Sequence, residues 1–357
     1  MNRTDIAVVG FAQAPQVAET TGTTNGVEML VPIITEVLET TGLPRREVGF
    51  WCSGSSDYLA GRAFSFVSAV DAIGAVPPIV ESHVEADAAW AFYEAWVKIR
   101  TGQARTAAVY GFGKSSAGDL RRVLALQLDP YTVAPLWPDA VSVAALQARA
   151  GLDAGLWSEK DMAEVAARSR ADAIANPYAQ LGDQVDAATL LDQPYVAEPL
   201  RAHDCPPVTD GAAVVVLAAA SAAEDLCEHP AWITGLEHRI DSPVLGAREL
   251  HRSPSTAAAA AAACGDIGTD GVQVAELHAP FSSQELLLRR EVGLPDSARV
   301  NPSGGPLCGN PMFAAGLTRI GEAASRVMDG SADRVLAHAT NGPALQQNLV
   351  CVMEGRD

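Results

Sequence analysis

The chain has 357 residues, room for about two domains at roughly 150 residues each. Its 48% hydrophobic and 19% charged residues exclude a disordered polymer. The balance of 25 Lys+Arg against 43 Asp+Glu, net −18, opposes nucleic acid or an anionic membrane as partner, because both demand a basic face.

No apolar run approaches the ~20 residues of a membrane span. Met1-Asn2-Arg3-Thr4-Asp5 leads straight into Ile6-Ala7-Val8-Val9-Gly10, with no secretory h-region. Cys52, Cys205, Cys227, Cys264, Cys308 and Cys351 form no C-x-x-C pair. Neither a disulfide framework nor a metal site is expected, and the expected compartment is the cytoplasm.

In chain order, the pattern predicts a buried parallel strand at Ile6–Phe11. A helix is predicted over Gly26–Thr41, with Leu30, Ile33, Ile34 and Val37 at helical spacing and Gly42-Leu43-Pro44 as its stop. A strand at Val48–Cys52, an Ala- and Trp-rich helix at Ala86–Arg100 and a strand at Thr106–Tyr110 are predicted next. Residues from about 115 to 205 read as an inserted helical segment, with helices predicted at Val141–Ala150, Glu159–Ala175 and near Asp186–Leu191. A buried strand is predicted at Ala213–Ala218.

From Ala231 the alternation repeats. Strands are predicted at Trp232–Gly235, Val272–Leu277, Arg334–Ala337 and Asn348–Met353, and helices at Pro254–Cys264, Gln284–Val292 and Asn310–Met328. Alternating strands and helices imply an α/β fold with helices on the sheet faces. The division expected is residues 1–225, including the helical insertion, and 226–357. Each half holds one helix of small residues, Ala86–Ala95 and Ala314–Ala324, suited to the middle of a layered molecule where close approach needs small side chains. Two such helices between two sheets give a five-layer αβαβα sandwich.

Four stretches then carry a family resemblance. Asp204-Cys205-Pro206-Pro207-Val208-Thr209-Asp210-Gly211-Ala212-Ala213 resembles the "S/TDGAAA" strand entry of the thiolase superfamily. Glu276-Leu277-His278-Ala279-Pro280-Phe281 resembles its "NEAF" box in the "HDxF" form of sterol-carrier, lipid-transfer-type members. Asn301-Pro302-Ser303-Gly304-Gly305 with Gly309-Asn310-Pro311 resembles "NxxGG…GHP", and residues 159–179 resemble the loop-domain helix. The resemblance covers essentially the whole chain. It implies chemistry on CoA thioesters of sterol or fatty acyl side chains, with coenzyme A entering as part of the substrate and no separate cofactor. It also implies a homo- or heterodimer formed through the sheet edge, and for some members a small OB-fold, zinc-ribbon partner protein.

The family's nucleophilic cysteine stands at the head of the first central helix, but no cysteine lies between Cys52 and Cys205. The resemblance places Glu85 there, with Asp87 competing for the position and His83 nearby. Asn310 replaces the "GHP" histidine, and His338-Ala339-Thr340-Asn341-Gly342 replaces the C-terminal cysteine loop. Only His278 keeps a catalytic residue type. A Claisen reaction through an acyl-cysteine is therefore not expected. A retro-aldol cleavage of a β-hydroxyacyl-CoA needs a base and an oxyanion hole but no thiol. The expected catalytic residues are His278, Glu85 and Asn310; Gly304, Gly305, Cys308, Asn341 and Gly342 are expected to line the substrate. The other reading is a non-catalytic subunit that pairs with an active paralogue.

Overall fold

A computed structural model describes residues 5–20, 26–59 and 64–356. The first half runs β1 (Ile6–Gln13), α1 (Gly26–Thr41), β2 (Phe50–Gly54), α2 (Ser65–Ile73), β3 (Glu81–Val84), α3 (Ala88–Arg100) and β4 (Thr106–Lys114). The insertion follows: α4 (Leu120–Leu126), α5 (Ala140–Asp153), α6 (Glu159–Ala173), α7 (Ala187–Leu191) and a ribbon of β5 (Tyr195–Ala197) and β6 (Leu200–Arg201). The chain returns through β7 (Asp210–Ala219) and α8 (Ala220–Leu226). The second half runs β8 (Ala231–Ile240), α9 (Pro254–Cys264), β9 (Val274–Leu277), α10 (Ser282–Val292), β10 (Arg299–Val300), α11 (Ala315–Met328), β11 (Arg334–Asn341) and β12 (Gln347–Glu354).

The main sheet has the order β10-β9-β11-β12-β8-β1-β7-β4-β2-β3. Its two sides repeat one topology outward from the β1–β8 seam. In the first, β1 and β4 both run antiparallel to β7, and β2 is parallel to β4 and β3. In the second, β8 and β11 both run antiparallel to β12, and β9 is parallel to β11 and β10. Only Ala7–Trp232 and Val8–Ala231 pair across the seam, so two five-stranded sheets meet at one short junction.

Three apolar clusters fill the spaces between layers. One face of the first sheet packs on α1 and α2, through residues such as Val9, Leu30, Ile34 and Ile73. One face of the second packs on α9 and α10, through Ala259, Leu277, Leu287 and Val350. The remaining faces of both enclose α3 and α11 in a single cluster. The five-layer α/β order expected from the sequence is thus observed. Every residue of β7 is buried, as its unbroken Ala/Val run requires of a strand covered on both faces. In α11 every residue from Ala315 to Ala324 is buried, whereas α1 buries one stripe.

Several local expectations are corrected. β1 is antiparallel to both neighbours rather than parallel; a short apolar run reports burial on two faces, not strand direction. The second central helix begins at Ala315, not Asn310, because Pro311 and the left-handed Phe313 (φ 66°) hold 310–314 as a loop. The first begins at Ala88, with Asp87 as its N-cap. The two-residue edge strand β10 was not legible, being too short to show alternation.

Candidate functional site

The heads of α3 and α11 meet, and one carboxylate joins them. Asp87 Oδ1 accepts from the Ala89 N–H at 2.9 Å and the Leu317 N–H at 3.2 Å, and Oδ2 accepts from the Gly316 N–H at 2.9 Å. The Ala88 N–H donates to the Phe313 carbonyl at 2.8 Å. Free N–H groups at two helix starts thereby find an acceptor, and both dipoles favour its charge. Burial acts the other way and pushes the Asp87 carboxyl up to about 6, against its backbone donors and Arg319. The residue that competes with Glu85 in the sequence is therefore the one fixed at the helix head. Its signal was the Asp-Ala-Ala of an N-cap.

His278 follows β9 and is 7% exposed. Its Nδ1 faces the Thr340 N–H at 3.4 Å, and Nε2 lies 3.1 Å from Asn310 Oδ1. Nδ1 as acceptor puts the proton on Nε2, which donates to the amide oxygen. Burial pushes the imidazole down to about 3, helped by His338 and Arg319 and opposed by the Asn310 bond. His278 is therefore a neutral hydrogen-bond donor at any physiological pH. The Asn310 N–H donates to Thr209 Oγ1 at 3.1 Å, and Asn310 Nδ2 has only the Met312 sulfur, at 3.9 Å. This amide is oriented by its neighbours and keeps a hydrogen-bond donor in reserve.

Glu85 is exposed and does not occupy the helix head where the resemblance places it, because Asp87 is the N-cap. The chain turns from β3 into α3 at this point, and burial falls two residues later, on Asp87. Glu85 lines a cavity of about 430 Å3 with Tyr58, Val123, Leu126, Phe313, Asn341 and Gly342. The structure thus gathers the expected residues as two sets, His278 with Asn310 and Glu85 with Asn341 and Gly342. Thr340, bonded to His278 and adjacent to Asn341, links them.

Gly304, Gly305 and Cys308 belong to a buried loop. A Cβ on Gly304 (φ +95°) would stand 2.6 Å from Ala173 Cβ, so that glycine is required by packing against α6. The Cys308 carbonyl accepts from the N–H groups of Gln180 and Leu181 at 2.9 and 3.0 Å, and burial pushes its thiol up to about 12. Sequence reading missed the buried polar group behind this loop. Arg319 Nη1 donates to Glu276 Oε2 at 2.7 Å, and the Ser303 hydroxyl donates to the same oxygen at 2.7 Å. Asn301 Oδ1 accepts from the Leu277 N–H at 2.6 Å, one residue before His278. A buried charge must be paired to be tolerated, so these bonds also lock the end of β9. Lone charges inside apolar runs, Glu276 and Arg319, were the available signal.

Among the described residues no group of three or more His, Cys, Asp or Glu could hold a metal, and no helix is long and apolar enough to cross a membrane. No cysteine stands at either helix head.

No protein-family model matches the chain. Part of it is similar to the acetyl-CoA acetyltransferase of Methanothermobacter thermautotrophicus, 26% identical over 203 residues, 49% of this chain and 53% of that protein. The acetyl-CoA acetyltransferase of Methanocaldococcus jannaschii is 30% identical over 176 residues, 42% of this chain and 45% of that protein. The matching segment spans about half the length of these curated relatives. Solved structures correspond over the whole chain. Human mitochondrial 3-ketoacyl-CoA thiolase superposes with TM-score 0.79 at 14% identity, covering 99% of both chains. The Bacillus anthracis acetyl-CoA acetyltransferase gives 0.80 at 15%, again over 99% of both. A structure described as "Ltp2-ChsH2(DUF35) aldolase" gives 0.80 at 18%, over 100% of both. With its two mirrored sheets and enclosed central helices, the chain has the thiolase fold.

Proposed function

We propose that this protein acts on acyl-CoA thioesters and performs retro-aldol cleavage of a β-hydroxyacyl-CoA rather than thiolysis. The observation that carries the reading is the neutral His278–Asn310 pair, held by Thr340 and Thr209 beside helix heads that offer no thiol. Asn310 Nδ2 is the donor for the thioester oxygen, with His278 fixing its amide. Glu85, open to the cavity, takes the proton of the β-hydroxyl. The Cα–Cβ bond breaks, the β-carbon leaves as a carbonyl compound, and its electron pair passes into an enolate spread onto the thioester oxygen. The proton held by Glu85 passes to Cα, which yields the shortened acyl-CoA and restores the carboxylate. The solved aldolase of the same fold, 18% identical, supports this choice. A dimer, and a partner like the second component named in that structure, belong to the same proposal.

The second reading, a non-catalytic subunit, is favoured by Asp87. Its carboxylate is already satisfied by three N–H donors at the helix heads, where the family keeps its nucleophile.

The test is turnover of β-hydroxyacyl-CoA substrates by the purified chain, followed as release of the carbonyl product. Glu85→Gln should lower kcat by roughly 10²–10⁴-fold, the usual worth of a general base, with an unchanged melting curve. Inertness of the wild-type chain, alone and with candidate partners, would leave the non-catalytic reading.

A further inference from the structure

A second cavity, of about 340 Å3, lies at the other end of the central helix, lined by Gln273, Ser297, Arg299, Pro302, Arg326 and Ser331 among others. Arg326 is ten residues beyond Gly316, about 15 Å along α11 at 1.5 Å per residue, so this cavity is remote from the helix heads. It sits where β9 and β10 begin.

Its chemistry runs against that of the chain. A protein of net −18 presents here two guanidinium groups, two hydroxyls and an amide, with no carboxylate in the lining. Among the described residues, the Arg326 guanidinium has no hydrogen-bond or ion-pair partner, and its Nε is buried without an acceptor. Arg299 has one loose contact, 3.9 Å to Asp172 Oδ1. Elsewhere the buried arginines have a carboxylate at Nη, Arg319 with Glu276 and Arg201 with Glu159 at 2.6 Å, although the Nε atoms of Arg168 and Arg319 also lack a hydrogen-bond acceptor. Arg326 is half-buried, and a guanidinium that faces a cavity without a protein acceptor is a place that an anion completes.

We infer that this cavity is an oxyanion site, taking inorganic phosphate or a phosphate monoester. Two guanidiniums match the charge of a phosphate dianion, and their planar forks match its oxygens. The Ser297 hydroxyl supplies a further donor, while the Ser331 hydroxyl donates to the Arg326 carbonyl at 3.2 Å. The volume also admits a small organic group on the phosphate. The inference is independent of the activity proposed above.

Equilibrium dialysis of the full chain against radiolabelled inorganic phosphate, at ionic strength fixed with KCl, tests it. One saturable phosphate per chain is expected, with affinity weakened at least about tenfold in Arg326→Gln and in Arg299→Gln. Arg299 is exposed, so the second variant keeps the fold even if the first is impaired. Phenyl phosphate displacing the label at lower concentration than phosphate itself would identify a monoester site; equal displacement would identify free phosphate. Absence of saturable binding, or binding unchanged in both variants, would overturn the proposal.

Discussion

At the scale of single residues, the decisive property of the site is that its histidine is not a base. Burial holds His278 neutral, with a pKa of about 3. A general-base histidine would impose an inflection near its ordinary pKa of ~6.5. The kcat profile of the proposed reaction should therefore show no histidine inflection between pH 5 and 8, and one that vanishes in His278→Asn would refute the donor role. The cysteines follow the same logic. Burial raises the thiols of Cys52, Cys205, Cys308 and Cys351, which removes the thiolate that alkylation requires. Iodoacetamide should leave turnover intact; inactivation in step with alkylation of Cys308 would make that thiol catalytic.

At the scale of elements, the meeting of α3 and α11 depends on a missing side chain. A Cβ on Gly316 would stand 2.5 Å from Asp87 Oδ1 and 2.7 Å from Ala339 Cβ. Gly316→Ala gains up to ~1 kcal/mol of helix propensity but overpacks a closed contact, which typically costs ~1–3 kcal/mol. The net effect should be destabilising, read as a lower urea midpoint at unchanged m-value. Asp87→Ala strips one carboxylate from three N–H groups. It should cost at least the ~1 kcal/mol of a lost N-cap, and more because the orphaned donors are buried. If Asp87→Ala melts like wild type, the helix heads are held by something other than this bridge. The sequence shows each helix as a run of small residues, yet the bridge between them joins positions 87 and 316, whose proximity no local pattern encodes.

At the scale of the whole molecule, two buried neutral histidines tie stability to pH. His278 and His338 have folded pKa values of about 3 and about 4, below the ~6.5 of an unfolded histidine. Between those limits the unfolded chain binds more protons than the native one, so their contribution is complete above ~6.5 and is lost as pH falls toward 4. Asp87, raised to about 6, acts in the opposite sense between ~3.8 and 6. The difference between wild type and His338→Gln isolates the histidine term. The pH dependence of unfolding free energy should be shallower by about one proton near pH 5 in the variant, and an equal slope would show that His338 is not held neutral. Hydrophobic periodicity and small-residue runs determined the α/β class and the enclosure of two central helices, because burial on one stripe or on all sides is written locally into apolar spacing. His278 and Asn310 were legible as candidate site residues from the motifs they resemble, and the structure places them 3.1 Å apart. The burial of Asp87 rather than Glu85, the antiparallel setting of β1, the Arg319–Glu276 pair and the unpartnered Arg326 were decided only by the tertiary structure. Each depends on which distant segment supplies the neighbouring donor, acceptor or wall, and that is a property of the packed layers.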